Sequence, residues 1–249
     1  MKREKIYLST IASDAVPVAR EYGLGLEIAE YCTAWNMDEK FSGVDSVVKK
    51  KLQGITGSLL HAPYSELFPC AIDKKARALA EERYRQAITL AKSYGSSKVI
   101  IHSGYYERMY FPSWFVEQSV AFWKGFFREE PGVEILLENV FETEPQWLLE
   151  IVRGVDHPGL KLCLDVGHVN AYSPVPVQKW MESLGPYISH FHIHNNDGTH
   201  DQHRDLYDGS ISMGELLREA EVLCPDATIT LELLKSRDSV RWMLENGLI

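Results

Sequence analysis

Eight short apolar runs, nearly all followed by a longer stretch with helical spacing, constrain this chain more than any other feature. The runs are Ile6–Ser9, Leu24–Ala29, Ile55–Leu60, Lys98–Ile101, Val133–Leu137, Leu160–Leu164, Ile188–Ile193 and Ala227–Leu231. Each has strand length and is rich in β-branched or large apolar residues. Between them lie helix candidates at Asp14–Tyr22, Asp73–Tyr94, Ser113–Phe127, Pro145–Val152, Val177–Leu184 and Gly214–Leu223, with a closing helix over 238–246. Asp38–Leu52 is helical or irregular, because Gly43 interrupts it. Alternating strand and helix predicts parallel strands joined by crossover helices. Eight such units in 249 residues predict a single (β/α)8 barrel spanning 1–249. A doubly wound open sheet is the alternative.

Ligand-type residues gather at one end of the runs. His61, His102, Glu138, Asp165, His192 and Glu232 fall at or near the C-terminal ends of runs three to eight. In a barrel these ends converge on one face, where active sites lie. Residues distant in sequence then share a pocket.

The densest stretch is 187–203, YISHFHIHNNDGTHDQH, with five of the nine histidines. Its first half alternates like a strand, so His190, His192 and His194 share a face opposite Phe191 and Ile193. Imidazoles on a buried face are costly unless paired, and neutral imidazole is a common metal ligand. His192 is expected to serve from the strand, with Asp201 and His203 from the following loop. His190, His194 and His200 read as supporting or surface residues. Asp165 and His168 add an i, i+3 pair in a tight glycine-containing turn.

These residues exceed the needs of one ion. Zinc takes about four ligands. The set suits either a cluster of two or three ions, or one ion with several substrate-binding groups. An oxygen-rich subset would accept Mn2+ or Mg2+ as well as Zn2+. Glu27, near the end of the second run, is a further candidate for substrate binding or, equally, a structural partner for a Lys or Arg. Trp35, Tyr64, Tyr105 and Phe141 are loop aromatics that could stack on a flat ligand face or simply pack.

Charge and cysteine content narrow the classes. The net charge of −9 argues against a nucleic-acid partner, since phosphate contacts need Lys and Arg. Cys32, Cys70, Cys163 and Cys224 form no C-x-x-C pair and read as reduced thiols. MKREKIYLST reads as a first strand rather than a signal peptide, and no run has the apolar length to span a bilayer. A cytoplasmic enzyme with no membrane partner is the expectation. The aromatic helix 113–127 offers either core packing or a face for forming a homo-oligomer.

In this order, the pieces LHAPY, IHSGY, LLENV, CLDVGHVNAY, HFHIHNNDGTHDQH and LELL resemble the xylose isomerase-like TIM barrels. That superfamily includes sugar-phosphate isomerases and epimerases, and endonuclease IV. The resemblance implies, for the epimerase branch, one divalent ion held by Glu138, Asp165, His192 and Glu232, with the two glutamates as acid and base. His61, His102 and His168 would then bind substrate hydroxyls. For the endonuclease IV branch it implies a trinuclear zinc site, with His61, His102, His168, Asp201 and His203 as further ligands.

The expected activity is therefore metal-dependent isomerisation or epimerisation of a sugar, sugar phosphate or inosose, by proton transfer through an enediolate, with one to three Zn2+ or Mn2+ ions. The alternative is a zinc phosphodiesterase; the third reading is a non-catalytic sugar-binding relative. One departure stands out. Many relatives carry an Asp after the seventh-strand histidines, where this chain has Asn195; either Asp197 substitutes, or the position only supports the ligands.

Overall fold

The computed structural model describes residues 1–249. Eight parallel strands close into a barrel in sequence order, β1 pairing with both β2 and β8. The strands are β1 (Ile6–Ser9), β2 (Gly25–Ile28), β3 (Ser58–His61), β4 (Lys98–His102), β5 (Glu134–Glu138), β6 (Leu160–Asp165), β7 (Ile188–Ile193) and β8 (Thr228–Leu231). The helices are α1 (Ala15–Tyr22), α2 (Ala34–Met37), α3 (Phe41–Leu52), α4 (Lys74–Ser93), α5 (Pro112–Phe126), α6 (Pro145–Val155), α7 (Val166–Tyr172), α8 (Val177–Leu184), α9 (Met213–Leu223) and α10 (Arg237–Glu245).

The period-two alternation of the strands builds two interiors. Outward residues such as Leu8, Leu26, Val99, Leu137, Leu164, Phe191 and Ile229 join the helices in one large apolar core. Inward, Leu59, Ile100, Leu136 and Cys163 form a small apolar plug with Tyr7 against it. Two residues further along four of these strands stand His61, His102, Glu138 and Asp165, on the same inward face. The alternation that fills the barrel thus places the polar groups above its plug.

Helix ends follow local chemistry. The Asp73 carboxylate accepts a hydrogen bond from Lys75 N at 2.7 Å at the start of α4, as N-cap aspartates do. Pro145 begins α6 where its missing N–H costs nothing.

The architecture is the expected barrel, with local differences. The third run was expected at Ile55–Leu60, but pairing starts only at Ser58; Gly54, at φ 75°, is still turning the chain out of α3. The turn expected at Asp165–His168 is the start of a helix, α7. Asp165 caps it, its Oδ1 accepting from His168 N at 2.7 Å. α5 buries Phe115, Trp123 and Phe126, so these aromatics pack in the core. No helix is long and apolar enough to cross a membrane.

In β7 the pairing with β6 slips by one. Leu162 faces Ile188, whereas Cys163 faces His190, so Ser189 is extra. This bulge sends Ile188 to the outer core while leaving His190 and His192 inward. It explains why an isoleucine shares the sequence period of the histidines.

Candidate metal centre and cavity

A cavity of about 340 Å3 opens at the C-terminal end of the barrel, lined among others by His61, His102, Glu138, His168, Asp201, His203 and Glu232. Asp165 and His192 form its floor and are completely buried.

Glu138 is the hub. Its Oε1 lies 3.2 Å from His192 Nδ1 and 3.6 Å from His168 Nδ1. Its Oε2 lies 3.2 Å from His61 Nε2 and 3.5 Å from His102 Nε2. Burial raises the Glu138 carboxyl, but the charge of His192 and the hydrogen bonds from His192 and His61 outweigh that and hold it well below the usual range. Burial drives His102 the other way, down to about 3, so its ring is neutral and free to accept a hydrogen bond or hold a metal.

His192 Nδ1 faces three carboxylates: Glu138, Glu232 Oε2 at 3.5 Å, and Asp165 Oδ2 at 3.8 Å. Residues from β5, β6, β7 and the segment after β8 therefore meet at one atom.

A second group adjoins the first. His203 Nε2 lies 2.9 Å from Asp201 Oδ2, and His168 Nε2 lies 3.4 Å from the same oxygen. Burial opposes charge on His168, yet Asp165 and Asp201 raise it to about 10. His203, likewise opposed by burial, is raised to about 9 by Asp201 and Glu232.

For His190 and His194 the surface alternative is overturned, and for Glu27 the substrate-binding role. His194 was expected to be a supporting or surface residue. It is completely buried, its Nε2 3.1 Å from Asp165 Oδ1 and 3.5 Å from Asp201 Oδ1. Pairing in β7 ends at Ile193, but the alternation runs one residue further and turns His194 inward. His190 is also fully buried, within the barrel below the cavity. Glu27, read as a substrate-binding group, does not line the cavity; it is fully buried beneath His192. His200 is exposed, as expected.

Asn195 and Asp197 have other tasks. Asn195 is buried and donates to Leu206 O and Ile211 O, pinning the loop back on itself. Asp197 is exposed and binds Thr199, Gln202 and Arg204, so it shapes the loop tip rather than the cavity. Of the aromatics, Tyr64 stacks on His102 with ring centroids 4.3 Å apart, and Phe141 also lines the cavity. Tyr105 is buried against Phe115 and Trp147, and Trp35 is exposed without lining the cavity. Cys32 and Ile11 line it without any sequence signal pointing to them, and Tyr172, the last residue of CLDVGHVNAY, lines it without having been singled out.

The donor set suits divalent cations. One ligand atom from each of His61, Glu138 and His192 lies within 4.8 Å of the others; so do those of Asp165, His168 and His194, and those of His194, Asp201 and His203. Buried Asp201 Oδ1 and His194 Nδ1 have no hydrogen-bond partner, an uncommon state for buried polar atoms. A buried anionic oxygen without a hydrogen bond, in a cluster of other ligand atoms, is the expected mark of a cation site.

The family profile described as "Xylose isomerase-like TIM barrel" matches residues 24–245. An uncharacterised protein of Methanocaldococcus jannaschii is 30% identical over 194 residues, 74% of this chain. That match covers 66% of the relative's own length. Two solved structures share the fold. One, a D-tagatose 3-epimerase-like protein, aligns with TM-score 0.79 and 24% identity over 98% of this chain and 96% of its own. The other, a Thermus thermophilus protein soaked with ZnCl2, aligns with TM-score 0.80 and 23% identity over 98% of each.

Proposed function

Since the chain belongs to the xylose isomerase-like TIM-barrel family, we propose that it is a divalent-metal-dependent isomerase or epimerase of a sugar, sugar phosphate or inosose. The observation that carries this reading is the pair Glu138 and Glu232. Both line the cavity, one on β5 and one just after β8, and both approach His192 Nδ1, at 3.2 and 3.5 Å. The D-tagatose 3-epimerase-like neighbour favours carbohydrate chemistry.

Glu138, Asp165, His192 and Glu232 would hold the cation, Zn2+ or Mn2+. Such a cation, when bound, polarises a substrate carbonyl and stabilises negative charge developing on its oxygen. One glutamate takes the proton from the carbon beside the carbonyl. The other returns a proton: for isomerisation to the former carbonyl carbon, with the neighbouring hydroxyl proton passing to the old carbonyl oxygen, or for epimerisation to the opposite face of the same carbon. Glu138 is ionised beside His192, the state a proton acceptor needs, although a lowered pKa makes it the weaker base. His61, His102 and His168 line the cavity as partners for substrate hydroxyls. Tyr64 and Phe141 offer ring faces at its wall.

The test is solvent deuterium incorporation at the substrate carbon in Glu232→Gln. Loss of exchange by roughly 100-fold or more supports a proton-transfer role; exchange at the wild-type rate removes Glu232 from it.

A second reading is an endonuclease IV-like zinc phosphodiesterase. The specific observation favouring it is that His61 and His102 on one side, and His168, Asp201 and His203 on the other, extend the central ligands. Three zinc ions per chain and cleavage of an abasic-site duplex would favour it. One ion and sugar turnover would favour the first. A non-catalytic sugar-binding protein would bind metal and ligand without turnover.

A further inference from the structure

Below the cavity floor a line of polar side chains runs through the barrel, beside the apolar plug. Apart from its last member, His192, nothing in the proposed reaction uses it. It begins at Lys98 near the N-terminal end of the barrel and ends at His192.

Proton directions along this line can be assigned one bond at a time. Lys98 Nζ can only donate, and it lies 3.5 Å from Thr228 Oγ1. The Thr228 hydroxyl is 2.6 Å from His190 Nδ1 and 3.4 Å from Ser189 O. The shorter bond takes its proton. His190 Nδ1 is then an acceptor, and its proton sits on Nε2, 2.9 Å from Thr230 Oγ1. The Thr230 hydroxyl in turn donates to Glu27 Oε2 at 2.6 Å. The same carboxylate oxygen lies 3.2 Å from His192 Nε2. A carboxylate can only accept, so His192 carries a proton on Nε2.

That assignment decides what His192 presents upward. With Nε2 turned to Glu27, Nδ1 is the ring atom left to the Glu138, Glu232 and Asp165 oxygens. In the metal-free protein a proton on Nδ1 meets these three acceptors; a bound cation would take that proton's place and leave Nε2–H on Glu27. A carboxylate behind a ligating histidine fixes its tautomer and ring orientation and makes it a stronger ligand.

We propose that Glu27, held in place by Thr230 and His190, is a positioning residue that sets the His192 tautomer and directs Nδ1 at a metal ion. Glu27 touches neither cavity nor substrate. It reaches His192 from β2, and the strand partner of His192 on β8 is Thr230 itself, so three strands fix one imidazole. Tyr7, edge-on to His190 with centroids 6.3 Å apart, closes the line on one side. This inference rests on the metal site of the proposed function, but not on its sugar chemistry.

The test uses Zn2+ alone as probe. Zn2+ affinity is measured by competition with a chromophoric chelator for wild type, Glu27→Gln and Thr230→Val. The His192 tautomer is read by long-range 1H–15N correlation on histidine-labelled, Zn2+-loaded protein. Glu27→Gln keeps the shape but removes the obligate acceptor; Zn2+ binding is expected to weaken about 10-fold or more, with the Nε2 proton signal of His192 displaced. Thr230→Val should weaken binding in the same direction by less, and it decides the matter if Glu27→Gln fails to fold. Affinities within twofold of wild type in the folded variants, or Zn2+ on Nε2 in wild type, overturn the proposal. No sugar is present, so a wrong substrate leaves this result standing. Likewise, a negative result here leaves the deuterium-exchange test of the reaction untouched.

Discussion

The imidazoles of His194 and His203 lie face to face, ring centroids 4.1 Å apart and planes 17° from parallel. Both rings address the Asp201 carboxylate, at 3.5 and 2.9 Å. His194 thereby ties Asp165 on the floor to the loop that carries Asp201 and His203. His194→Ala removes that tie. Metal binding by the group of His168, Asp201 and His203 is expected to weaken roughly 10-fold. Binding isotherms with Zn2+, compared with wild type, check this. Unchanged affinity and stoichiometry would leave His194 a packing role only.

Gly167 is the small residue that makes room for that ring. A Cβ built on Gly167 would stand 1.9 Å from His194 Cε1 and 2.4 Å from its Nδ1. His194 is walled in and cannot swing away. Gly167→Ala is expected to cost about 3 kcal/mol, the upper part of the overpacking range. That corresponds to a melting-temperature loss of roughly 6–12 °C for a chain of this size. Thermal unfolding measures it; a shift under roughly 2 °C would mean the ring has somewhere to go.

The glycine shows where sequence reading stops. In D-V-G-H it signalled a tight turn, whereas the fold uses it for close approach by His194, a residue on the next strand's extension. The barrel itself was legible because strand runs and helical spacing are local properties. So was the convergence of His61, His102, Glu138, Asp165, His192 and Glu232, since strand ends share a face. Alternation tells inward from outward, but not height within the barrel. Glu27 and His192 both point inward, yet one lies beneath the other, and only the closed register of β8, β1 and β2 shows it. His194 was misjudged because its side-chain alternation outlasts the strand's hydrogen bonding.

Glu138 is approached by four imidazoles, those of His61, His102, His168 and His192. Glu138→Gln keeps the volume and removes the charge they share. Bound metal is expected to fall to near zero on purification, measured by elemental analysis. Stability at neutral pH is expected to drop by about 1–3 kcal/mol, since buried partners lose a charged acceptor. A variant that keeps wild-type metal content would displace Glu138 from the centre of the site.

Asp14 joins the two ends of the chain's circuit around the barrel. It lies in the loop after β1, and its carboxylate accepts from Ser236 N at 2.7 Å, Ser236 Oγ at 2.9 Å and Arg237 N at 3.1 Å. These are the first N–H groups of α10, where a negative charge also meets the positive end of the helix dipole. Partial burial raises the Asp14 carboxyl, but the bonds from Ser236 and Arg237 outweigh it and the pKa is lowered. A carboxyl with a lowered folded pKa contributes stability that is fully present above its unfolded value and is lost as pH falls through the folded one. Because Asp14 is partly exposed, solvent screens its charge, and the hydrogen bonds set the scale. Asp14→Ala is expected to cost about 1–2 kcal/mol at pH 7, as loss of a helix cap does. The difference from wild type should shrink as pH falls below about 4, where the unfolded carboxyl begins to protonate. Melting curves of both proteins across that range measure it. A gap between wild type and variant that stays constant with pH would mean that Asp14 holds α10 by shape, not by its charge.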